Sequence, residues 1–369
     1  MDSQLKSVVS KLWGILQANP VAPFGRDRFI QELRGSSMKI GLYLINQQHL
    51  EVDMTAALGE QIAMVHAARD GGWDSLFTGH HYLNEGNNKQ LAIVPFLARL
   101  MGECGEMSPG MGIYLLTLHN PVQVAETVAA LDIISGGRFI FGVGLGYRDV
   151  EFDAFGIEKG TRVSRFEECL DVARRLWSGE AVSLDRPWCR LDNVVLNNPP
   201  VQKPHPPIWF GATSEGAVRR AARLADTFFI DPLANFATIR ERNAMFRDEL
   251  AKAGRPFPSE FPVFREICVA KDRKTAMDAA APALMGKYAD YARWGIGKNV
   301  SEPDLEALAK ERFFIGSPED CYEQMRPFWE EFGYNHMVLR PHWAGMPVED
   351  ALNSIHLITE ELLPALRKV

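Results

Sequence analysis

The chain has 369 residues, 46% of them hydrophobic, enough for one large domain or two ordinary ones with a substantial core. A formal net charge of −7 argues against nucleic acid or an anionic membrane surface as the main partner, and no apolar run approaches the roughly 20 residues that span a bilayer. Cys104, Cys169, Cys189, Cys268 and Cys321 are scattered without a C-x-x-C pair, so neither a disulfide framework nor a structural zinc site is expected.

Residues 1–37 read as an N-terminal extension, with a short helix over Ser7–Gln17 and a stop at Asn19-Pro-Val-Ala-Pro23. A natural extension, an expression-derived segment and a mis-assigned start all fit it. It lacks the basic-then-apolar block of a secretory signal, so a cytoplasmic protein is the expectation. From Met38 the pattern alternates, and 38–369 reads as one domain. Apolar runs predict strands at 39–45, 73–78, 110–116, 138–143, 207–211, 227–230, 261–270 and 335–340. Helical periodicity lies between them, as in 54–71, 91–104, 121–135 and 164–177. Eight such units predict an α/β fold, a (β/α)8 TIM barrel with insertions. One insertion, 180–201, reads as a hairpin with strands near 181–185 and 190–196. The other is the polar, helical 271–312. An open doubly wound sheet is the alternative, but it would place its glycine-rich turn after the first strand.

Here that turn follows the fourth strand. Gly142-Val-Gly-Leu-Gly-Tyr-Arg148 resembles the start of a dinucleotide fingerprint, yet Tyr147 stands where the last glycine of G-x-G-x-x-G belongs. In a barrel, functional groups gather at the C-terminal ends of strands. Those ends carry Gly79-His80-His81-Tyr82, Thr117 with His119 and Asn120, Gly144–Arg148, Ala212-Thr213-Ser214, and Arg340-Pro-His342-Trp343. His80 and His81 suit proton transfer. As neighbours on extended chain they point apart, and no carboxylate stands at ligand spacing, so no metal site is expected. Thr213 and Ser214 open a helix, either as an anion site or as an ordinary N-cap. Arg165, a cation in a helix's first turn, points to an anionic partner or to plain solvation. Cys169 lies on an apolar helix face and reads as inert.

The span from Met38 to about Leu363 resembles the bacterial luciferase-like monooxygenase family. The likeness rests on Trp73-Asp-Ser-Leu-Phe-Thr-Gly-His80-His81-Tyr82, on His119-Asn-Pro-Val-Gln-Val-Ala-Glu126 leading into Gly142–Phe152, and on Pro206-Pro-Ile-Trp-Phe-Gly-Ala-Thr-Ser214. It implies a barrel and a flavin. Arg165, Thr213 and Ser214 would bind the flavin phosphate. Gly144, Leu145, Gly146 and Tyr147 would pass close to its phosphate and ribityl chain. Gly112 and Ile113 stand where the family often has a non-proline cis peptide behind the flavin ring. His80, with His81, would manage protons. Gly79 replaces the family's acidic residue, and Gly144 replaces a cysteine of luciferase itself, so thiol chemistry does not carry over.

The implied activity is a two-component FMN monooxygenase. Reduced FMN from a separate flavin reductase reacts with O2 to a C4a-peroxyflavin, which oxygenates a small organic substrate. The implied assembly is a homodimer. Residues 271–312, with Gly286, Gly295 and Gly297 as hinges, are a candidate lid. The alternatives are a 5-deazaflavin-dependent hydride-transfer oxidoreductase on the same fold and a non-catalytic flavin-binding subunit.

Overall fold

The computed structural model describes residues 37–84, 86–293 and 310–369, the side chains of 288–293 excepted. Eight parallel strands carry the fold: β1 Lys39–Leu44, β2 Ser75–Thr78, β3 Ser108–Met111, β4 Phe141–Gly144, β5 Ile208–Gly211, β6 Thr227–Phe229, β7 Pro262–Val269 and β8 His336–Arg340. Ladders join β7, β8, β1, β2 and β3 in that order, and β4, β5 and β6 in a second sheet. Single bridges link the two sheets, Gly110 with Ile140 and Ile230 with Val263. The pairings therefore run round a ring in chain order, the arrangement of a (β/α)8 fold.

Helices follow the strands: α1 Met54–Asp70, α2 Ile93–Met101, α3 Pro121–Ile134, α4 Arg162–Trp177, α5 Glu215–Leu224, α6 Phe236–Lys252, α7 Arg273–Arg293, α8 Pro318–Glu330 and α9 Val348–Leu357. Their starts obey local chemistry. Asn120 caps α3 with Pro121 in the first turn, and Ser317 and Asp320 form a reciprocal capping box on α8.

The strands are apolar on both faces because one face meets the helices and the other fills the ring. Inside the ring, Tyr43, Phe77, Ile140, Trp209, Phe229, Phe264 and Val338 form one cluster. Tyr43 stacks on Phe264 at 4.2 Å and Phe77 on Trp209 at 5.0 Å. At the N-terminal end, Ser75 Oγ, His336 and Glu260 form a hydrogen-bonded row, with Oγ to Nε2 2.7 Å and Nδ1 to Oε1 2.5 Å. Ser75 is fully buried there, so the row braces the floor of the ring and exposes no nucleophile.

Two expectations need correction. The strand expected over 110–116 is broken: the β3 ladder ends at Met111, the Gly112–Ile113 peptide bond is cis, and pairing resumes at Tyr114–Leu115 against Val143 and Gly144. A further strand, Phe313–Gly316, pairs with the second half of β7. Its four residues follow the polar stretch 271–312 and are too short to show a period of their own. The hairpin of the first insertion forms as expected, from Val182–Arg186 and Cys189–Val194. Gly286 lies within α7. Ser7–Gln17, Gly295 and Gly297 lie outside the described residues.

Candidate active site

The glycine turn after β4 is shaped first by β3. A Cβ on Gly142 would stand 1.6 Å from the Met111 carbonyl oxygen, and one on Gly144 would stand 2.0 Å from Ile113 Cδ1. These two glycines therefore make room for the segment around the cis bond. Gly146 has φ +78°, the left-handed turn that releases the chain toward Tyr147. Leu145 is partly buried against the core, and Tyr147 is exposed. Gly112, Ile113 and Gly144 are thus brought together at the C-terminal end of the ring.

His80 and His81 diverge, as expected from extended chain. His81 is tied down: Nδ1 lies 3.2 Å from Glu151 Oε1 and Nε2 lies 3.4 Å from the Tyr147 hydroxyl. Glu151 is fully buried, accepts the Tyr82 backbone N–H at 2.9 Å and pairs with Arg148 at 3.6 Å. Arg148 in turn donates to the Tyr82 and Leu83 carbonyls. The loop after β2 is thereby fastened to the loop after β4. His80 makes no hydrogen bond within the described chain; its ring meets the edge of Tyr82 at 4.3 Å. Burial, reinforced by the neighbouring His81 charge, pushes its pKa down to about 4 against the pull of Glu151.

His119 completes the cluster. Its ring stacks on Tyr114 at 4.2 Å, and Nε2 lies 3.2 Å from the Tyr82 hydroxyl. Burial again dominates and lowers it to about 4. Aromatic edges from Tyr82 and Phe155, 4.8 Å apart, enclose this corner. Among the described residues no group of His, Cys, Asp and Glu is placed to hold a metal ion.

The three expected phosphate ligands are only partly gathered. Ser214 caps α5, its Oγ accepting from the Ala217 N–H at 3.4 Å. The hydroxyl-bearing Thr213 and Ser214 are exposed, and among the described residues no hydrogen bond engages the backbone N–H groups of Glu215 and Gly216. Such a helix start fits a phosphate. Arg242 from α6 bridges Asp231 and the Thr213 carbonyl, at 2.5 and 2.6 Å, and so fixes the turn. Arg165 makes no hydrogen bond to Thr213 or Ser214. Its Nε donates to the Thr117 carbonyl at 2.8 Å, and its guanidinium covers the Trp188 ring at 4.3 Å. Tyr43, Glu151 and Arg242 escaped the sequence reading. Glu151 alone left a signal, an acidic residue three positions after Arg148 in the first turn of the short helix Asp149–Ala154.

A ring of parallel strands with polar and aromatic side chains collected at their C-terminal ends is the arrangement of a (β/α)8 enzyme. The luciferase-like monooxygenase family model matches residues 38–336, and the chain belongs to that family. An F420-dependent glucose-6-phosphate dehydrogenase of Microbacterium testaceum is 25% identical over 82% of this chain and 91% of that protein. Among solved structures, the monooxygenase RslO1 from Streptomyces bottropensis superposes with a TM-score of 0.79 at 24% identity, covering 89% of this chain and 99% of the other. The oxygenating constituent of 3,6-diketocamphane monooxygenase from Pseudomonas putida, in complex with FMN, superposes at 0.73 with 18% identity, covering 89% and 98%.

Proposed function

We propose that this protein is the oxygenating component of a two-component flavin monooxygenase. It takes reduced FMN from a separate reductase and uses O2 to oxygenate a small organic substrate. One oxygen atom goes to the substrate and the other leaves as water. The observation that carries this reading is His80. Burial holds it neutral and it makes no hydrogen bond among the described residues, whereas His81 and His119 are both engaged. A neutral imidazole with free ring nitrogens can give or take a proton beside a reacting oxygen without bringing charge into an apolar interior.

The flavin, when bound, supplies the redox chemistry. The chain's own residues hold, orient and shield. Thr213, Ser214 and the start of α5 would take the phosphate, with Arg165 as a further cation near that end. Leu145, Gly146 and Tyr147 would follow the chain between phosphate and ring, and Gly112 and Ile113 would back the ring. His81 positions Tyr147 and the loop after β2, while Tyr82, Tyr114 and Phe155 exclude water.

A second reading, hydride transfer with a 5-deazaflavin, is favoured by the likeness to the F420-dependent dehydrogenase. Anaerobic titration with reduced FMN and with reduced deazaflavin, followed by an oxygen pulse in stopped flow, separates the two. Binding of reduced FMN and a transient near-ultraviolet absorbance after the pulse support the monooxygenase. Tight binding of the deazaflavin alone supports the second reading.

A further inference from the structure

Three arginines are buried among the described residues: Arg148, Arg265 and Arg340. The first two spend their terminal nitrogens on carbonyls. Arg148 donates to Tyr82 and Leu83, and Arg265, on the outward face of β7, donates to Asp231, Phe264 and Ala234. Arg340 does not. It is 4% exposed, and its Nε donates to the His342 carbonyl at 3.2 Å. Its Nη1 comes within 3.4 Å of Glu266 Oε1, an ion pair without a hydrogen bond, and neither Nη atom makes a hydrogen bond in the described chain.

Glu266 stands opposite Arg340 in the β7–β8 ladder. Both lie two residues beyond inward-facing members of the ring interior, Phe264 and Val338. The period of two in a strand turns them inward at the C-terminal end. One layer below, Tyr43 stacks on Phe264, and its hydroxyl reaches the Gly112 carbonyl. The pair therefore overlies the layer that holds Gly112, two strands round the ring from the strand of His80.

Glu266 does not neutralise Arg340 alone. Its Oε1 also meets the Lys287 ammonium and accepts the Trp343 indole N–H at 2.9 Å, while its buried Oε2 has no partner. One carboxylate thus serves two cations. A guanidinium offers five N–H donors, and the Arg340 Nη atoms, unbonded yet not among the fully buried polar atoms, keep theirs open to a ligand at the C-terminal end of the ring.

We propose that Arg340 anchors a carboxylate on the substrate, so that this enzyme acts on an organic acid. The inference rests on the oxidoreductase reading for the presence of a substrate in the ring mouth. The planar fork of Arg340 matches a carboxylate through two parallel hydrogen bonds. Glu266, held by Lys287 and Trp343, positions that fork from behind.

The test uses the full chain without flavin and the isosteric pair benzoate and benzamide, with inorganic phosphate as a third probe, in isothermal titration calorimetry. Benzoate binds about tenfold or more tighter than benzamide, phosphate does not displace it, and Arg340→Met abolishes the preference. Arg340→Lys, which keeps the charge but loses the fork, retains a smaller preference. The proposal is overturned if benzoate binds no tighter than benzamide, if the preference survives Arg340→Met, or if phosphate displaces benzoate, which would mark a seat for a cofactor phosphate. Should Arg340→Met fail to fold, an undiminished preference in Arg340→Lys overturns it equally. FMN titration of the same wild-type sample reads the earlier proposal separately: a benzoate preference without flavin binding removes the flavin and leaves the anchor.

Discussion

The Tyr43 hydroxyl donates to the Gly112 carbonyl oxygen at 2.5 Å, tying β1 to the segment that follows β3. A Cβ on Gly79 would stand 2.2 Å from that hydroxyl and 2.6 Å from that carbonyl oxygen. A side chain at position 79 and the Tyr43–Gly112 bond as it stands therefore exclude each other, and this chain has the bond. Gly79→Ala should cost about 1–3 kcal/mol through overpacking, and Tyr43→Phe about 1 kcal/mol through the lost hydrogen bond. In the double variant the hydroxyl clash is gone but the carbonyl clash stays, so only part of the Gly79→Ala cost returns. Urea denaturation midpoints measure all three, and a Gly79→Ala protein as stable as wild type refutes the steric account.

The two glycines of β4 should respond differently to the same methyl group. Gly142→Ala drives a Cβ into the Met111 backbone, which cannot swing aside, whereas Gly144→Ala meets the far end of the Ile113 side chain, which can. We expect a loss above about 4 kcal/mol, or no folded protein, for Gly142→Ala, and about 1–3 kcal/mol for Gly144→Ala. Ile113→Ala combined with Gly144→Ala should show favourable coupling in a double-mutant cycle. Equal costs at the two positions would argue that the glycines serve a ligand rather than β3.

Glu151 is the buried link between the loops that carry His81 and Tyr147. Glu151→Ala leaves Arg148 buried beside an empty site and should cost on the order of 3 kcal/mol. Glu151→Gln keeps the shape and should cost less. Limited proteolysis of the 79–90 loop checks the mechanism, since loss of the tether should expose it. Unchanged proteolysis in a destabilised Glu151→Ala protein would assign the residue to general stability alone.

His80→Ala should leave FMN binding nearly intact while lowering the fraction of consumed O2 that appears in product. Because burial already keeps His80 neutral down to about pH 4, its titration should not shape the rate between pH 5 and 8. A rate that follows a single protonation near pH 6.5 and loses that step in His80→Ala contradicts the neutral assignment.

Acid should weaken the fold through buried imidazoles. Burial lowers both His119 and His342 to about 4, whereas unfolded histidine titrates near 6.5. Below 6.5 the unfolded chain takes up protons that the folded chain refuses, so stability drops from there to about pH 4 and then levels. Each group accounts for about 1–2 kcal/mol by pH 5. Melting temperatures between pH 7 and 5 should fall less steeply in His342→Gln than in wild type, and parallel slopes would remove His342 from the account.

The strands that make the ring, the hairpin of the first insertion and the Ser214 cap were legible along the chain because they depend on neighbours two to four residues away. The short strand Phe313–Gly316 was not, since it is held by pairing with β7, more than forty residues earlier, and by Arg273 and Gln324 side chains that bond the Ile315 backbone. The same divide runs through the site. The sequence determined the family, the strand ends and the candidate groups on them, including both histidines and the glycine run. Only the tertiary structure decided that His81 is committed and His80 free, for Glu151 lies 70 residues from His81 in the chain. It alone aligned Glu266 with Arg340 and set Tyr43 in the space beside Gly79. Burial, which sets imidazole charge, and close approach, which sets where glycine is required, belong to surfaces assembled from distant segments, and no local pattern encodes them.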